Sequence, residues 1–338
     1  MISQALLLRA CIGLLPVLSF LVALVAMDSY KLVHLRTVVL VIGLGCVAAG
    51  LSYLANIAVI GLFGFDFSTY ARTVGPLVEE AIKCVVILVM IRTHRIGFLV
   101  DAAIFGFAVG TGFALIENLY YLQGLGNAHI AVWIVRGFGT ALFHGGVQSM
   151  LAVMVLALTD RRGAMDAGAV LPPLMAAWLL HATFNNFVLP PIYQTLLLML
   201  LLPPLMLLVF SRSERAVQGW LGTGFDADQD LLELLHSGSF SESPHGQYLH
   251  SLRAHFSGAV VADLVCYLRL HVELALRAKG LLLMREAGIE PGIDEATREN
   301  FEELRYLERA VGPTALRAVK PLLQMSRRDL WQLYMLGK

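Results

Sequence analysis

Residues 97–122 read GFLVDAAIFGFAVGTGFALIENLYYL, a long apolar run in which Asp101 and Glu117 are the charged side chains. About 20 apolar residues cross a bilayer as a helix, so the run predicts a membrane span. Six further apolar runs occur at 10–27, 38–62, 75–92, 132–158, 168–188 and 191–210. Pro190-Pro191 separates the last two, since proline breaks a helix. We therefore predict an all-α fold, a polytopic transmembrane helical bundle of about seven spans.

The composition supports a membrane domain followed by a water-facing one. The chain is 57% hydrophobic and 15% charged, whereas a soluble domain is about 25% charged. Of its 50 charged residues, 18 lie in residues 1–210 and 32 in residues 211–338. We expect a transmembrane domain at 1–210 and a small helical cytosolic domain at 211–338, which begins with a linker at 219–246. The net charge of zero excludes the basic surface of a nucleic-acid-binding protein.

The cytosolic domain shows helical spacing without a catalytic motif. Leu264, Leu268, Val272 and Leu276 recur every four residues, as on one face of a helix. Such patterns predict helices at 247–287, 294–310, 313–324 and 326–336.

The basic residues of the loops predict the orientation in the cell membrane. Basic residues favour the cytoplasmic side. They follow the first, third, fifth and seventh runs, as Lys31 and Arg36, Arg92 and Arg95, Arg161 and Arg162, and Arg212 and Arg215. This multi-pass protein should therefore have its N-terminus outside and its C-terminus in the cytoplasm. The first run, which follows Arg9, could also be a signal peptide; the charge pattern favours an uncleaved span.

The third run opens with an acidic pair inside an apolar stretch, Gly75-Pro76-Leu77-Val78-Glu79-Glu80-Ala81-Ile82-Lys83. Lys83 is four residues from Glu79 and three from Glu80, so both carboxylates can reach it on a helix. Two adjacent carboxylates in apolar surroundings do not both ionise easily, which makes one a candidate acid or base. The alternative is a charged helix end outside the membrane, but the remaining run is then too short to span.

Three later runs also carry polar groups at positions where the bilayer core makes them expensive. Glu117 has no basic neighbour on its own helix, so it needs a partner from elsewhere or a metal. His144 lies within the fifth run; in the sixth, His181 and Asn185 are four residues apart and share one helix face. A histidine and an amide on one face suit a ligand with an orienting group. Structural hydrogen bonds between helices are the alternative for each.

Depth in the membrane predicts that these groups meet. With about 1.5 Å of rise per residue, Glu79, Glu80, Glu117, His144 and His181 can share one layer in the outer half of the bilayer. Carboxylates and histidines in one layer can bind Zn²⁺ and activate water; they can also activate water without a metal. Two other charged residues lie apart from this layer. We expect Arg136 to extend to the outer interface, and Asp101 to be either functional or a solvated helix start.

At these residues the chain resembles the PrsW family of intramembrane proteases, distant relatives of the CAAX prenyl proteases and bacteriocin-processing enzymes. The resemblance covers residues 70–190. It rests on Glu79-Glu80 with Lys83, the run from Asp101 through Gly106 and Gly112-Phe113-Ala114 to Glu117-Asn118, then His144, and His181 with Asn185.

The resemblance implies a metallopeptidase that cuts membrane-anchored protein substrates near the outer face. Glu79 or Glu80 would be the general base, and Glu117 a ligand or second carboxylate. His144 and His181 would be metal ligands or oxyanion stabilisers. Glu80, Glu117, His144 and His181 would form the metal set, with Lys83, Asn118 and Asn185 contacting substrate or supporting the site. The family often has aspartate where this chain has Asn185.

Two other classes of function remain compatible with buried charges. Intramembrane glutamate, lysine and histidine also form proton relays, as in a proton- or ion-coupled transporter. Transporters tend to show paired halves with broken helices, and no internal repeat is evident here. A non-enzymatic membrane receptor that signals through residues 211–338 is the other alternative, but it needs no layer of glutamates and histidines.

Overall fold

The computed structural model describes residues 4–125, 127–289 and 292–323. Within these residues every regular element is helical, which confirms the predicted all-α polytopic fold. The predicted helix at 326–336 lies outside the described residues, as does residue 324 of the one before it. The chain divides into two compact units, Met1–Glu214 and Arg215–Lys338.

The first unit consists of long helices joined by short connections. In chain order they are α1 (Gln4–Ala26), α2 (Leu35–Phe63), α3 (Phe67–Arg72), α4 (Val74–Arg92), α5 (Leu99–Leu125), α6 (Ile130–Ile134), a π-helical segment (Val135–Ala141), α7 (Leu142–Arg162), α8 (Ala167–Asn185) and α9 (Pro191–His236), of which α9 has residues in both units. As predicted, the chain breaks before Pro191, between α8 and α9.

In the described part of the chain, six helical stretches are long and apolar enough to cross a membrane. They are α1, α2, α5, the stretch Ile130–Arg162, α8 and α9. The predicted third span forms α4, which is not among them because it carries Glu79, Glu80, Lys83 and Arg92. Its 19 residues nevertheless measure about 28 Å at 1.5 Å per residue, close to the hydrocarbon thickness of a bilayer. A crossing by α4 therefore stays a prediction.

Helix α5 is the centre of the first unit. It contacts α1, α2 and α7, and its residues are buried without interruption from Val100 to Ala114. Close packing here depends on glycine: a Cβ added at Gly106 or Gly110 would overlap the backbone of α7, and one at Gly112 the backbone of α2. The GxxxG spacing of Gly106 and Gly110 thus brings α5 against α7, as such spacing does in membranes.

The second unit contains α10 (Pro244–Ser251), α11 (Gly258–Glu286) and α12 (Glu295–Val319), which has a kink at Gly312, with short 3₁₀ turns at Phe240–Glu242, Leu252–Ala254 and Lys320–Leu323. Leu264, Leu268 and Val272 of the predicted stripe are buried. The predicted linker is wrong over residues 219–236, because these residues continue α9. Asp and Gly residues suggested a loop there, but Leu231, Leu232, Leu234 and Leu235 allow the helix to continue.

Candidate active site

Glu80 lies at the centre of a buried polar cluster that joins α4, α7 and α8. Its Oε1 is 2.5 Å from Lys83 Nζ and 2.8 Å from His181 Nδ1. Gln148 of α7 donates an amide hydrogen bond to the other carboxylate oxygen. All four residues are buried. Both oxygens of Glu80 are therefore held by protein donors, as a buried carboxylate requires.

His144 of α7 connects this cluster to Glu117 of α5. Its Nδ1 is 3.3 Å from Lys83 Nζ, and its Nε2 is 2.8 Å from Glu117 Oε2. The ring of His181 meets it edge-on, with the two ring centroids 5.0 Å apart. Glu117, His144, Lys83, Glu80 and His181 thus form one continuous chain of polar contacts. Of the residues predicted to share one layer, Glu80, Glu117, His144 and His181 are linked in this way.

Arg136 also lies in this network, whereas the sequence suggested only that it extends to the outer interface. Its Nε donates to Asn118 Oδ1 at 2.8 Å, and one of its terminal nitrogens is 3.3 Å from Glu117 Oε1. The guanidinium also stacks on the ring of Tyr121, 3.8 Å from the ring centroid. Asn118 in turn donates to the Gly13 carbonyl of α1 at 2.7 Å. An arginine in a membrane avoids lipid when such partners exist.

Glu79 faces the more open side of the cluster. Its side chain is 22% exposed and that of Glu117 is 27% exposed, whereas that of Glu80 is 0% exposed. Asn56 of α2 donates to Glu79 Oε1 at 3.3 Å and accepts a 2.8 Å hydrogen bond from the Tyr70 hydroxyl. The second oxygen, Oε2, is 3.9 Å from His181 Nε2. That separation is too long for a hydrogen bond, so Oε2 faces His181 without bonding to it directly.

Three residues at the end of α8 and just after it hold the corner between α3 and α4. Trp178 Nε1 donates to the Thr73 carbonyl at 2.8 Å. Asn185 and Asn186 donate to the carbonyls of Ala71 and Arg72, each at 3.2 Å. Asn185 therefore fixes the backbone that leads into α4, instead of pointing its amide at His181.

Sequence reasoning missed two site residues besides Arg136. Asn56 and Gln148 lie in apolar runs, and an amide in a span is itself a signal of a polar partner. That signal was present at both positions. Asp101, by contrast, is a buried cap: its Oδ2 accepts from the backbone N–H groups of Gly97 and Phe98, at 2.9 and 3.0 Å, where α5 begins.

Three of the four predicted metal ligands form a group with suitable spacing. In the described part of the chain, one ligand atom each of Glu80, His144 and His181 lie within 4.8 Å of one another. One carboxylate and two imidazoles are a common zinc donor set. Glu117 is not in this group; it binds the other nitrogen of His144, as carboxylates that orient metal-binding histidines do.

Two observations bear on whether a metal ion fits this group. The buried amide oxygen of Gln148 has no hydrogen-bond partner among the described residues. This oxygen is therefore a further atom that could ligate a metal ion. Lys83 contacts both Glu80 and His144, so a bound cation must compete with its ammonium group. The donor chemistry fits a divalent cation, provided that Lys83 gives way.

An apolar groove runs along α2 and α4. It has a volume of about 530 Å³. On α4 it is lined by Ile82, Val86 and Val89, and on α2 by Leu44 and Leu51. The three α4 residues follow Glu79 at spacings of three or four, so they continue the same helix face. The groove therefore leads along α4 towards Glu79.

Taken together, the fold and the cluster are those of a multi-pass membrane protein with a carboxylate–histidine centre inside its helical bundle. Residues 33–209 match the model of a family described as PrsW family intramembrane metalloprotease. This match covers just over half of the 338 residues, and the chain belongs to that family. No curated protein and no solved structure gives a significant match.

Proposed function

We propose that the protein is an endopeptidase that cuts membrane-anchored proteins near the outer face of the cell membrane, with Glu79 as the general base. The observation that carries this proposal is the continuous polar network from Glu117 to His181, which has partly exposed carboxylates at its edges. Family membership supports the class of reaction. The basic loop residues support an outside N-terminus and a cytoplasmic C-terminus.

Glu79 is the better base because Glu80 is already engaged. Lys83, His181 and Gln148 occupy both oxygens of the buried Glu80. Glu79 is fixed at one oxygen by Asn56 and keeps the other towards His181. A base must lie within hydrogen-bond reach of the water that it deprotonates, and a partly exposed carboxylate meets that condition. Glu80 then serves as the anchor that orients His181 and Lys83.

The reaction follows from these positions. Glu79 Oε2 takes a proton from a water molecule held between it and His181 Nε2, and the water oxygen attacks the scissile carbonyl carbon. The resulting oxyanion accepts a hydrogen bond from Nε2 of His181 when this imidazole carries both protons, because Nδ1 of His181 faces Glu80 and Nε2 of His144 faces Glu117. Protonated Glu79 then gives the proton to the amide nitrogen as the C–N bond breaks. The proton that leaves the water is thus carried first by the Glu79 carboxylate and then by the new amine.

Glu80, His144 and His181 are the residues that would hold a metal ion, and Zn²⁺ suits this donor set. A divalent cation bound there supplies Lewis acidity, which polarises a carbonyl and lowers the pKa of bound water. Glu117 would keep His144 in the tautomer with its proton on Nε2 and its lone pair on Nδ1.

The groove along α2 and α4 is the proposed seat of the substrate's apolar transmembrane segment. Glu79 and Val89 are ten residues apart, about 15 Å along the helix. The lining on α4 begins at Ile82, one helical turn from the candidate base, so a segment in the groove would run from near Glu79 into the membrane. The lining is apolar over the stretch from Ile82 to Val89, as a hydrophobic helix requires.

The catalytic proposal is tested with the full chain in lipid nanodiscs and a single-span reporter substrate. Glu79→Gln should lower kcat by about 10²–10⁴, the usual contribution of a general base. Glu233→Gln, which alters an exposed glutamate that accepts from Gln229, is the matched control and should cleave normally. Normal cleavage by Glu79→Gln would show that Glu79 is not the general base. If His181→Ala also cleaved normally, the endopeptidase proposal would fail.

The same assay tests whether cleavage requires a bound metal ion. Chelator should abolish cleavage and added Zn²⁺ should restore it if Glu80, His144 and His181 hold a catalytic ion. Metal content of the purified protein should fall in His181→Ala. Full activity in chelator, with no bound metal, would remove the metal and leave water activation to Glu79.

The groove is tested by filling it. Val86→Trp should lower kcat/KM for the single-span reporter by roughly 5–150-fold, the equivalent of 1–3 kcal/mol of overpacking. A short peptide around the scissile bond should be cleaved normally. Leu54→Trp, at a position on α2 outside the groove lining that is 63% exposed, is the control. Equal loss with both substrates would point to damage at the site and would refute the docking assignment.

A further inference from the structure

Arg136 is joined to the candidate site through Glu117, and each link is a direct contact between buried or half-buried groups. The guanidinium lies 3.3 Å from Glu117 Oε1, while the other carboxylate oxygen is 2.8 Å from His144 Nε2. Tyr121 covers the guanidinium plane and Asn118 accepts from Nε. Glu117 is therefore held between a fixed positive charge and the imidazole.

The π-helical segment Val135–Ala141 explains how Arg136 and His144 reach the same carboxylate. In a regular α-helix, residues eight apart point about 80° away from each other around the axis. A π-turn accommodates one extra residue. Across it, a step of eight residues therefore turns about the helix axis by as much as seven residues do in a regular α-helix. Seven residues make nearly two full turns, which brings Arg136 and His144 to one side of the helix, facing Glu117.

The packing around the π-segment supports this geometry. A Cβ added at Gly137 would overlap the Ile12 carbonyl of α1, and one at Gly139 would overlap the Thr195 hydroxyl of α9. The two glycines let α1 and α9 lie against the wide turn. π-Turns inside α-helices occur frequently at functional sites.

We infer that Arg136 is a positioning residue for the proposed peptidase reaction. It fixes the rotamer of Glu117 and lies against its negative charge. Glu117 in turn orients the His144 ring so that Nδ1 faces Lys83 and Glu80. A planar, always charged guanidinium can stack on Tyr121 and contact two acceptors at once, which lysine cannot do. The inference rests on the proposed function, because its readout is cleavage.

The test is a double-substitution cycle on the full chain in nanodiscs with the single-span reporter. Arg136→Gln should lower kcat by about 10–100-fold, the usual loss when an outer supporting group of a site is removed, and should change KM much less. Arg136→Lys should restore part of the loss, since it keeps the charge. Arg162→Gln, which breaks an exposed ion pair with Asp166, is the matched control and should have normal kcat.

The cycle separates positioning from a general effect on folding. In a Glu117→Gln background, Arg136→Gln should add little further loss, because residues that act through one another are not additive. Equal losses in both backgrounds would overturn the inference, as would a normal kcat for Arg136→Gln. If Arg136→Gln fails to fold, Tyr121→Leu replaces it, with the same two backgrounds and the same expectations. A failure of the proposed function is distinguished by normal cleavage in Glu79→Gln and His181→Ala.

Discussion

Lys83→Met should destabilise the first unit, because Lys83 is the cation in contact with a fully buried carboxylate. Its Nζ is 2.5 Å from Glu80 Oε1, and both side chains are 0% exposed. The ammonium also lies 4.3 Å from the centroid of the Phe113 ring. Methionine has a similar length but no charge, so the substitution leaves Glu80 with His181 and Gln148 as its remaining partners.

The expected size of the effect follows from the cost of leaving one buried charge uncompensated. Breaking a buried ion pair by removing one partner costs about 3–5 kcal/mol. For a unit of this size, such a loss lowers Tm by roughly 6–20 °C. Thermal unfolding of the purified protein in detergent, followed by circular dichroism, measures the shift.

The double variant Lys83→Met/Glu80→Gln is the decisive comparison. It removes both charges, so it should be more stable than Lys83→Met alone, as expected when a buried pair is replaced by neutral groups. The coupling between the two substitutions should therefore be clearly non-additive. A Lys83→Met protein as stable as the unaltered one, or a double variant less stable than either single variant, would refute the buried ion pair.

Three further outcomes are expected. Reporter fusions after residues 127 and 215 should give opposite signals, because the basic loop residues place them on opposite sides of the membrane; identical signals would contradict the orientation. Truncation after Arg215, at the boundary between the two compact units, should leave reporter cleavage measurable, since the residues described after Arg215 supply no group of the site; complete loss with a folded membrane unit would contradict this. Gly110→Ala should lower stability by about 1–3 kcal/mol and should also lower cleavage, because its Cβ would overlap the His144 carbonyl. Gly43→Ala is the control: nothing lies within 4 Å of its Cβ, so it should lose no more stability than a surface substitution does.

Much of the site could be predicted because the bilayer makes polar residues conspicuous. Glu79, Glu80, Glu117, His144 and His181 are ionisable groups in apolar runs, and such groups cost too much to leave in lipid. Counting residues along each span placed them at similar depth. The contacts among them agree with that count, since depth along a helix is fixed by its rise per residue.

Arg136 shows where counting along a helix fails. Its position near the end of a run suggested an interface residue, and only a π-turn brings it onto the face of His144. A π-turn depends on how α1 and α9 pack against Gly137 and Gly139, so no local pattern in the sequence reveals it. The choice between Glu79 and Glu80 was likewise left open, because neighbouring residues look equivalent until their partners on α2, α7 and α8 are known.

Local sequence patterns thus predicted the all-α membrane fold, the break before Pro191, and which side chains are too polar to face lipid. These follow from composition and helical rise, which are local properties. Tertiary structure decided which partner each polar group takes: Lys83 and His181 for Glu80, Asn56 for Glu79, Arg136 and His144 for Glu117. Rotation of each helix about its axis settles those pairings, and that rotation is set by packing between helices distant in the chain.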